Sequence, residues 1–257
     1  MKRAVLWLLA AALGVGATVL LFFPAGWLAA AVERQSGGRL TLGDAQGTLW
    51  RGSAFVGAAA SRSGAVTPLL PGRFAWRLSP LALLGKVELQ LENPAALSQP
   101  VNLRGSWRAW QVSPAALLLP AERLAGLGAP LNTIAPSGTL RLSWSTLQLG
   151  LAGNAVDVDG RTTLELTDMA SALSAVRPLG SYELAFDWRG QRAQLGLRSL
   201  KGPLLLEGGG ALVNGRLQFS GQAQAATGYE ETLASLLNLL GQRRTNSDKN
   251  IIALEFR

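Results

Sequence analysis

Beyond residue 38, polar and apolar residues alternate along the chain with a period of two. Residues 39–42, 73–78, 86–91, 138–144 and 161–166 all carry the pattern. Successive side chains of a strand point to opposite faces, so each segment has one apolar and one polar face. That is the signature of an antiparallel sheet wetted on one side, and a doubly covered parallel sheet would give unbroken apolar runs instead. Rossmann-like folds are excluded on this ground. The reading is mainly β: an N-terminal transmembrane helix followed by a twisted, curved antiparallel sheet with short helical inserts.

The clearest unit is a hairpin at Asn214-Gly215, two residues that tolerate positive φ. Pairing outward puts Leu212 opposite Leu217, Gly210 opposite Phe219 and Gly208 opposite Gly221. One face of the unit is then apolar, while the return strand turns Arg216, Gln218, Ser220, Gln222 and Gln224 to water. Gly208-Gly209-Gly210 has no phosphate-loop context and reads as a strand narrowed so that Phe219 lies across it. A helix follows, with Glu230 and Glu231 in its first turn and Leu233, Leu236, Leu237 and Leu240 on one stripe, before Gly241. Residues 251–256 return to alternation, with Ile252, Leu254 and Phe256 on one face of a closing strand.

An internal echo, offset by 34 positions, links Trp76-Arg77-Leu78-Ser79-Pro80 and the leucines after it with Trp110-Gln111-Val112-Ser113-Pro114. In each copy a strand ends, serine caps and proline opens a short helix. Residues 115–131 are the expected boundary between two halves, 38–120 and 132–257, of one β-rich domain spanning 38–257.

Residues 4–23 contain no charge, and 20 helical residues span about 30 Å, the thickness of a bilayer core. Lys2 and Arg3 precede the run, so residues 1–3 are expected in the cytoplasm and the domain after the anchor on the far side of the inner membrane, in the periplasm. Ala29-Ala30-Ala31 offers a signal-peptide cleavage site as the competing reading, but the run is longer than a signal core and residues 24–37 read as a membrane-proximal helix and linker. Ala10, Gly14 and Thr18 place small residues every fourth position of the anchor, and Trp27 suits the membrane interface.

Composition narrows the chemistry. The chain has 257 residues, no cysteine and no histidine. Disulfides, thiol catalysis, Cys/His zinc sites and His-activated nucleophiles are thereby excluded. No cofactor and no enzymatic activity are expected. The net charge is +8, from 24 Lys plus Arg against 16 Asp plus Glu, spread rather than blocked, and no nucleic-acid partner is expected. Asp157-Val158-Asp159-Gly160 lacks the remaining ligands of a calcium loop, and Asp159-Gly160 reads as a turn. Arg189, Arg192, Arg198 and Lys201 make a candidate patch for an acidic partner. The terminal strand, with Ile251, Ile252, Leu254 and Phe256, is a candidate edge for strand addition, as is the strand at 39–42 near the membrane.

Several local patterns together resemble the type II secretion system protein N family. They are the anchor, Gly47-Thr48-Leu49-Trp50-Arg51-Gly52, the Trp-x-x-Ser-Pro inserts, Pro178-Leu179-Gly180-Ser181-Tyr182, and residues 202–210 followed by the leucine-rich helix. The resemblance implies a single-span inner-membrane protein with a periplasmic β-rich domain, accessory to the machinery that exports folded proteins across the outer membrane. Its implied partners are other inner-membrane secretion subunits and the outer-membrane secretin. The Gly47–Gly52 pattern is also similar to AsmA-like envelope proteins, which implies as an alternative an apolar groove handling lipids.

Overall fold

The computed structural model describes residues 21–257 except 61–63, 154, 214, 241, 244–251 and 257; before residue 21 it describes Trp7, Ala11, Gly14, Gly16, Thr18 and Val19. The alternating segments form β1 (Leu40–Gly47), β2 (Arg51–Ala58), β3 (Thr67–Leu78), β4 (Lys86–Glu92), β5 (Val101–Ser106), β6 (Ala109–Val112), β7 (Ala115–Pro120) and β8 (Ser137–Trp144). They continue as β9 (Leu147–Ala152), β10 (Ala155–Ala170), β11 (Gly180–Gly190), β12 (Arg192–Lys201), β13 (Leu204–Val213), β14 (Arg216–Ala225), β15 (Gln242–Arg243) and β16 (Ile252–Phe256). All lie in one open sheet, ordered β1-β2-β3-β4-β5-β6-β9-β10-β11-β12-β13-β14-β16-β15, with β7 beside β8 and β8 beside β10. Every pairing among the described strands is antiparallel.

The apparent branch at β10 is a meander in which two long strands are broken. β8 and β9 both run along the same side of β10, opposite 162–170 and 155–159 respectively, so together they are one strand interrupted at Ser145-Thr146. β6 and β7 likewise lie end to end against β9 and β8, interrupted at Ser113-Pro114. The two breaks sit side by side, and the Trp144 indole Nε1 donates to the Ser113 carbonyl at 2.9 Å. Gly160 lies opposite the break at Ser145-Thr146, where an added Cβ would stand 2.7 Å from Leu147 Cδ2 and 2.9 Å from the Thr146 carbonyl oxygen. Asp159-Gly160 is therefore the kinked interior of a 16-residue strand rather than the turn the dipeptide predicts.

Register propagates one apolar face across the sheet. Trp76 pairs with Leu91, Leu89 with Leu103, Leu103 with Val112, Leu149 with Val158, Leu164 with Leu184 and Phe186 with Leu195. Helices cover this face at its two ends. α1 (Ala25–Gln35) packs Ala25 and Leu28 against Ala54, Trp76, Leu42 and Leu91. A four-residue helix, α2 (Leu131–Ile134), follows β7, and α3 (Glu230–Leu240) sets Leu233, Leu236 and Leu237 on Phe219, Ala223, Leu204 and Ile252. Leu233 and Ile252 are 0% and 1% exposed, the largest side chains sealed in the core. Between the two ends, Leu103, Trp110, Val112, Leu147 and Leu149 are half-buried.

The first Trp-x-x-Ser-Pro copy behaves as its sequence predicts. Ser79 Oγ accepts the Leu81 amide at 3.3 Å and Pro80 opens a 3-10 helix, Pro80–Leu84. The second copy does not: after Ser113-Pro114 the chain stays extended as β7. Ser113 Oγ instead accepts the Asn102 amide at 2.9 Å, and residues 115–120 find the backbone of β8 on one side and Ala96 and Ser98 on the other. Ladder pairing on both sides outweighs local helix preference here. The helical turn comes later, at Ala121–Leu127, so the sheet continues through the expected boundary at 115–131.

The hairpin at residue 215 has the expected register, Leu212 to Leu217, Gly210 to Phe219 and Gly208 to Gly221. A Cβ on Gly208 would lie 2.5 Å from Phe219 Cζ, so the ring does lie across the glycine backbone. Among the described residues no helix is long and apolar enough to cross a membrane. The expected span at 4–23 falls mostly outside the described residues, Ala10 with it. Phe219→Ala should lower unfolding free energy by about 3–5 kcal/mol and Gln218→Ala, on the wetted face, by under about 0.5 kcal/mol. Urea titration of the two variants checks the face assignment, which equal losses would contradict.

Candidate docking surfaces

An open sheet has two edges, and they are not equivalent. The β1 edge carries a bulge between Gly43 and Gln46, with Asp44 in left-handed backbone at φ 49°. Arg73 explains why the bulge holds. Its guanidinium pairs with the Asp44 carboxylate, donates to the Asp44 carbonyl at 3.0 Å and to Ser53 Oγ at 2.9 Å, and lies 4.5 Å over the Phe55 ring. Ser36 Oγ accepts the Leu40 amide at 3.1 Å and donates to the Leu40 carbonyl. A bulge, a charge and a cap therefore occupy this edge, the devices that blunt strand addition.

The opposite edge ends in β16. It pairs with β14 through Phe219↔Phe256 to Ala223↔Ile252, and β15 covers its other side at Ala253 and Ile252. The buried side chains of Ile252 and Leu254 hold the strand in the core, so they are not available for a partner's side chains. Among the described residues, the backbone from Leu254 to Phe256 lies beyond β15. Ile251 lies outside the described residues.

The four cations expected to make one patch fall into two groups. Arg189 and Arg192 are cross-strand neighbours at the β11–β12 turn, both exposed, with no carboxylate in salt-bridge range among the described residues. Arg198 pairs with Glu183 at 2.8 Å, and Lys201 with Asp168 at 2.7 Å. Lys201 is nine residues along β12 from Arg192, about 30 Å at strand rise, so the groups cannot act on one small epitope. Arg216 extends the first group, because Val213 pairs with both Arg192 and Arg216. The hairpin register puts Arg216 opposite Val213, and only the separate β12–β13 pairing brings Arg192 beside them.

The Lys201–Asp168 contact resembles a serine–lysine site at first sight, since Ser181 pairs across the strands with Lys201. Its bonding is structural. Ser181 Oγ accepts the Asp168 amide at 2.9 Å where Asp168 adopts φ 51°, pinning the bulges of β10 and β11. The lysine is an ion-pair partner, and its hydrogen bond to Asp168 holds that carboxyl below the usual carboxylate range, with the Ser181 hydrogen bond adding to the shift. Glu183 raises the Arg198 guanidinium in the same way, by hydrogen bond and charge. Tyr182 donates its hydroxyl to the Leu204 carbonyl at 3.1 Å, and burial pushes the phenol above its ordinary value. Asp157 and Asp159 share the polar face, where Asp159 Oδ1 accepts the Gly190 amide at 3.2 Å. Among the described residues no cluster of three acidic side chains could hold a metal.

In the N-terminal segment, Thr18 Oγ1 donates to the Gly14 carbonyl at 2.8 Å, one turn back, and both residues are exposed. Trp27 is exposed on α1 and stacks obliquely on Phe23, ring centres 5.6 Å apart.

Residues 38–249 match the family model described as type II secretion system (T2SS), protein N. No curated protein and no solved structure matches the chain.

Two outcomes follow from the ion pairs and the edge. Because its folded pKa is lowered, Asp168 favours the folded state above the usual carboxylate range, and that contribution disappears as pH falls through the folded value. Lys201→Met should move the Asp168 carboxyl titration upward in a carbon-detected NMR pH series; an unmoved titration would contradict the ion pair. Ile252→Ala should cost about 2–5 kcal/mol in a denaturant melt, as for other sealed aliphatic residues.

Proposed function

The chain belongs to the type II secretion system protein N family, which makes it a component of that secretion system, and from this we propose a non-catalytic, inner-membrane-anchored accessory subunit that works by binding other subunits. The observation that carries the reading is the family match over residues 38–249, the whole β-rich sheet up to its last strand. Residues 4–23 supply the anchor in this reading, with residues 1–3 in the cytoplasm and the sheet in the periplasm. An anchor holds the sheet at high effective concentration near its partners, so weak contacts suffice. Those partners are other inner-membrane secretion subunits and the secretin.

The structure offers such partners the polar face of the sheet and the arginine row Arg189, Arg192 and Arg216 at the turns of two adjacent hairpins. Three cations that form no salt bridge among the described residues, with Asp159 opposite Arg189 as the neighbouring acid, suit an acidic segment of a neighbouring subunit, and the contact should weaken with salt. A photo-crosslinker placed at Gln191 in cells is expected to capture another secretion subunit. Arg189→Glu with Arg192→Glu should abolish that capture and impair secretion while leaving the melting temperature unchanged. Capture that survives the double charge reversal would place the partner elsewhere. For topology, a periplasm-dependent reporter fused after residue 60 should be active in a protein whose N-terminus is still at or next to Met1; a mature N-terminus near Ala30 would remove the anchor.

A further inference from the structure

One rim of the sheet gathers large apolar side chains that the fold leaves in water. In the 3-10 helix Pro80–Leu84, Ala82 faces the core while Leu81, Leu83 and Leu84 are 44%, 53% and 80% exposed. Trp107, in the β5–β6 turn, is 59% exposed. The two turns are adjacent: Lys86 pairs with Ser106, and a Cβ on Gly85 would stand 3.6 Å from Trp107 Cδ1. Scattered surface leucines need no explanation, but three on one helical turn beside an indole form a single protruding tip. Lys86 and Arg108 flank that tip, both exposed.

The same rim holds the point where the uncharged N-terminal run ends. The Leu49 amide donates to the Phe23 carbonyl at 2.8 Å and Pro24 bridges to Thr48, fixing the start of α1 on the β1–β2 turn. From there a chain of hydrogen bonds leads to the tip: Leu78 amide to Trp50 carbonyl at 2.7 Å, then Ser79 amide to Glu88 carbonyl at 2.8 Å. The β1–β2 turn and the tip are thus separated by only two or three strand spacings, about 10–15 Å. Phe22 and Trp27 are exposed at that junction, 70% and 62%. Between junction and tip lies a cleft of about 430 Å³, lined by Arg51, Arg77 and Arg104 with Ser79 and Asn102, against the single acid Glu88.

We propose that this rim is a membrane-surface contact: Leu81, Leu83, Leu84 and Trp107 enter the interface of the bilayer that residues 4–23 cross, and the arginine cleft takes anionic lipid headgroups. Three features select a bilayer over a protein. The apolar residues protrude from turns rather than forming a flat or grooved patch, which suits insertion among headgroups. Trp beside Leu, ringed by Lys and Arg, matches the polarity gradient of a membrane interface, with the cations reaching phosphate. The chain that would span the membrane ends on this rim and on no other. The consequence is an orientation: the strands stand upright on the membrane, so the opposite rim, with the 3-10 helix Ala121–Leu127, points away from it.

The proposal rests on the anchored reading, and one experiment separates the two. The chain contains no cysteine, so single cysteines can be placed at Leu84, Trp107, Thr18 and, on the far rim, Ala175. Full-length protein carrying an environment-sensitive fluorophore at each site is reconstituted in phosphatidylcholine vesicles with and without phosphatidylglycerol, and brominated lipid chains serve as quencher. Labels at Leu84 and Trp107 should shift to the blue and be quenched when phosphatidylglycerol is present, while the Ala175 label stays in water. Arg77→Glu with Arg104→Glu should remove most of the quenching at Leu84 and leave that at Thr18 untouched; Lys86→Glu with Arg108→Glu provides a second charge reversal outside the cleft. A quenched Thr18 with Leu84 and Trp107 as wet as Ala175 overturns the rim contact and keeps the anchor. An unquenched Thr18 with Leu84 quenched removes the anchor and supports the rim contact by itself. Labels wet on vesicles but shielded in native membranes overturn the proposal in favour of a protein partner.

Discussion

Everything in this fold depends on register. In a meander of hairpins each strand inherits its facing from the one before, and a slip of one residue would turn a whole strand's apolar set to water. The chain keeps one apolar face from Trp76 to Phe219 across two interrupted strands and several bulges. The indoles contribute directly to that continuity. Trp76 donates to the Leu49 carbonyl at 3.1 Å, Trp144 to Ser113 at 2.9 Å, and Trp188 to Thr162 Oγ1 at 3.0 Å. Each ring lies on the apolar face while its N–H crosses to an irregular or neighbouring segment. A buried indole N–H without a partner is costly, so these bonds also fix where the irregularities sit.

A sheet this wide cannot be closed by one helix. α1 and α3 cover only the strands nearest each end, and the two buried clusters they make share no residue. The middle of the apolar face is protected partially, by the size of Trp110, Leu147 and Leu149 and by the sheet's own twist. Stability is therefore concentrated at the two ends. The C-terminal cluster holds the fully sealed leucine and isoleucine, whereas the N-terminal cluster relies on Trp76 and small alanines. Local opening should begin in the central strands or at the N-terminal end before the α3 cluster yields.

The alternation was legible because one side of the sheet is wet, and the hairpin at Gly215 and helix Glu230–Leu240 were legible because their local chemistry agrees with their tertiary role. The second Trp-x-x-Ser-Pro copy departs from its local signal for a reason that no local rule contains. Ser113-Pro114 and Ser79-Pro80 are the same signal, but only 115–120 has open backbone on both sides to pair with. Asp159-Gly160 failed likewise, since the glycine there relieves a close approach by Thr146 and Leu147 rather than making a turn. Of the docking residues, the sequence gives the cations but not their neutralisation. Glu183 and Asp168 are distant in sequence from Arg198 and Lys201, and only the pairing of β10, β11 and β12 brings them together.

The segment Gly47-Thr48-Leu49-Trp50-Arg51-Gly52 shows how one short pattern can set the posture of the whole molecule. Its backbone receives the start of α1 at Phe23 and Pro24, its Leu49 carbonyl takes the Trp76 indole, and its Trp50 carbonyl takes the amide of the last residue of β3. Gly52 must be glycine for this, because a Cβ would lie 2.4 Å from Trp76 Cζ2 and 2.8 Å from the Thr48 carbonyl oxygen. The turn thus couples the end of the N-terminal apolar run rigidly to the first core cluster and, through Leu78, to the exposed leucine tip. On the anchored reading proposed above, a flexible tether would let the sheet tumble, whereas this junction would hold it at one angle. On the proposed topology, the Arg189–Arg192–Arg216 row, at turns of the same rim, then stands close to the headgroups while the polar face rises above them, where a neighbouring subunit in the same membrane can meet both repeatedly in one orientation. On that proposal, the restriction is what membrane attachment would add to weak, salt-sensitive contacts.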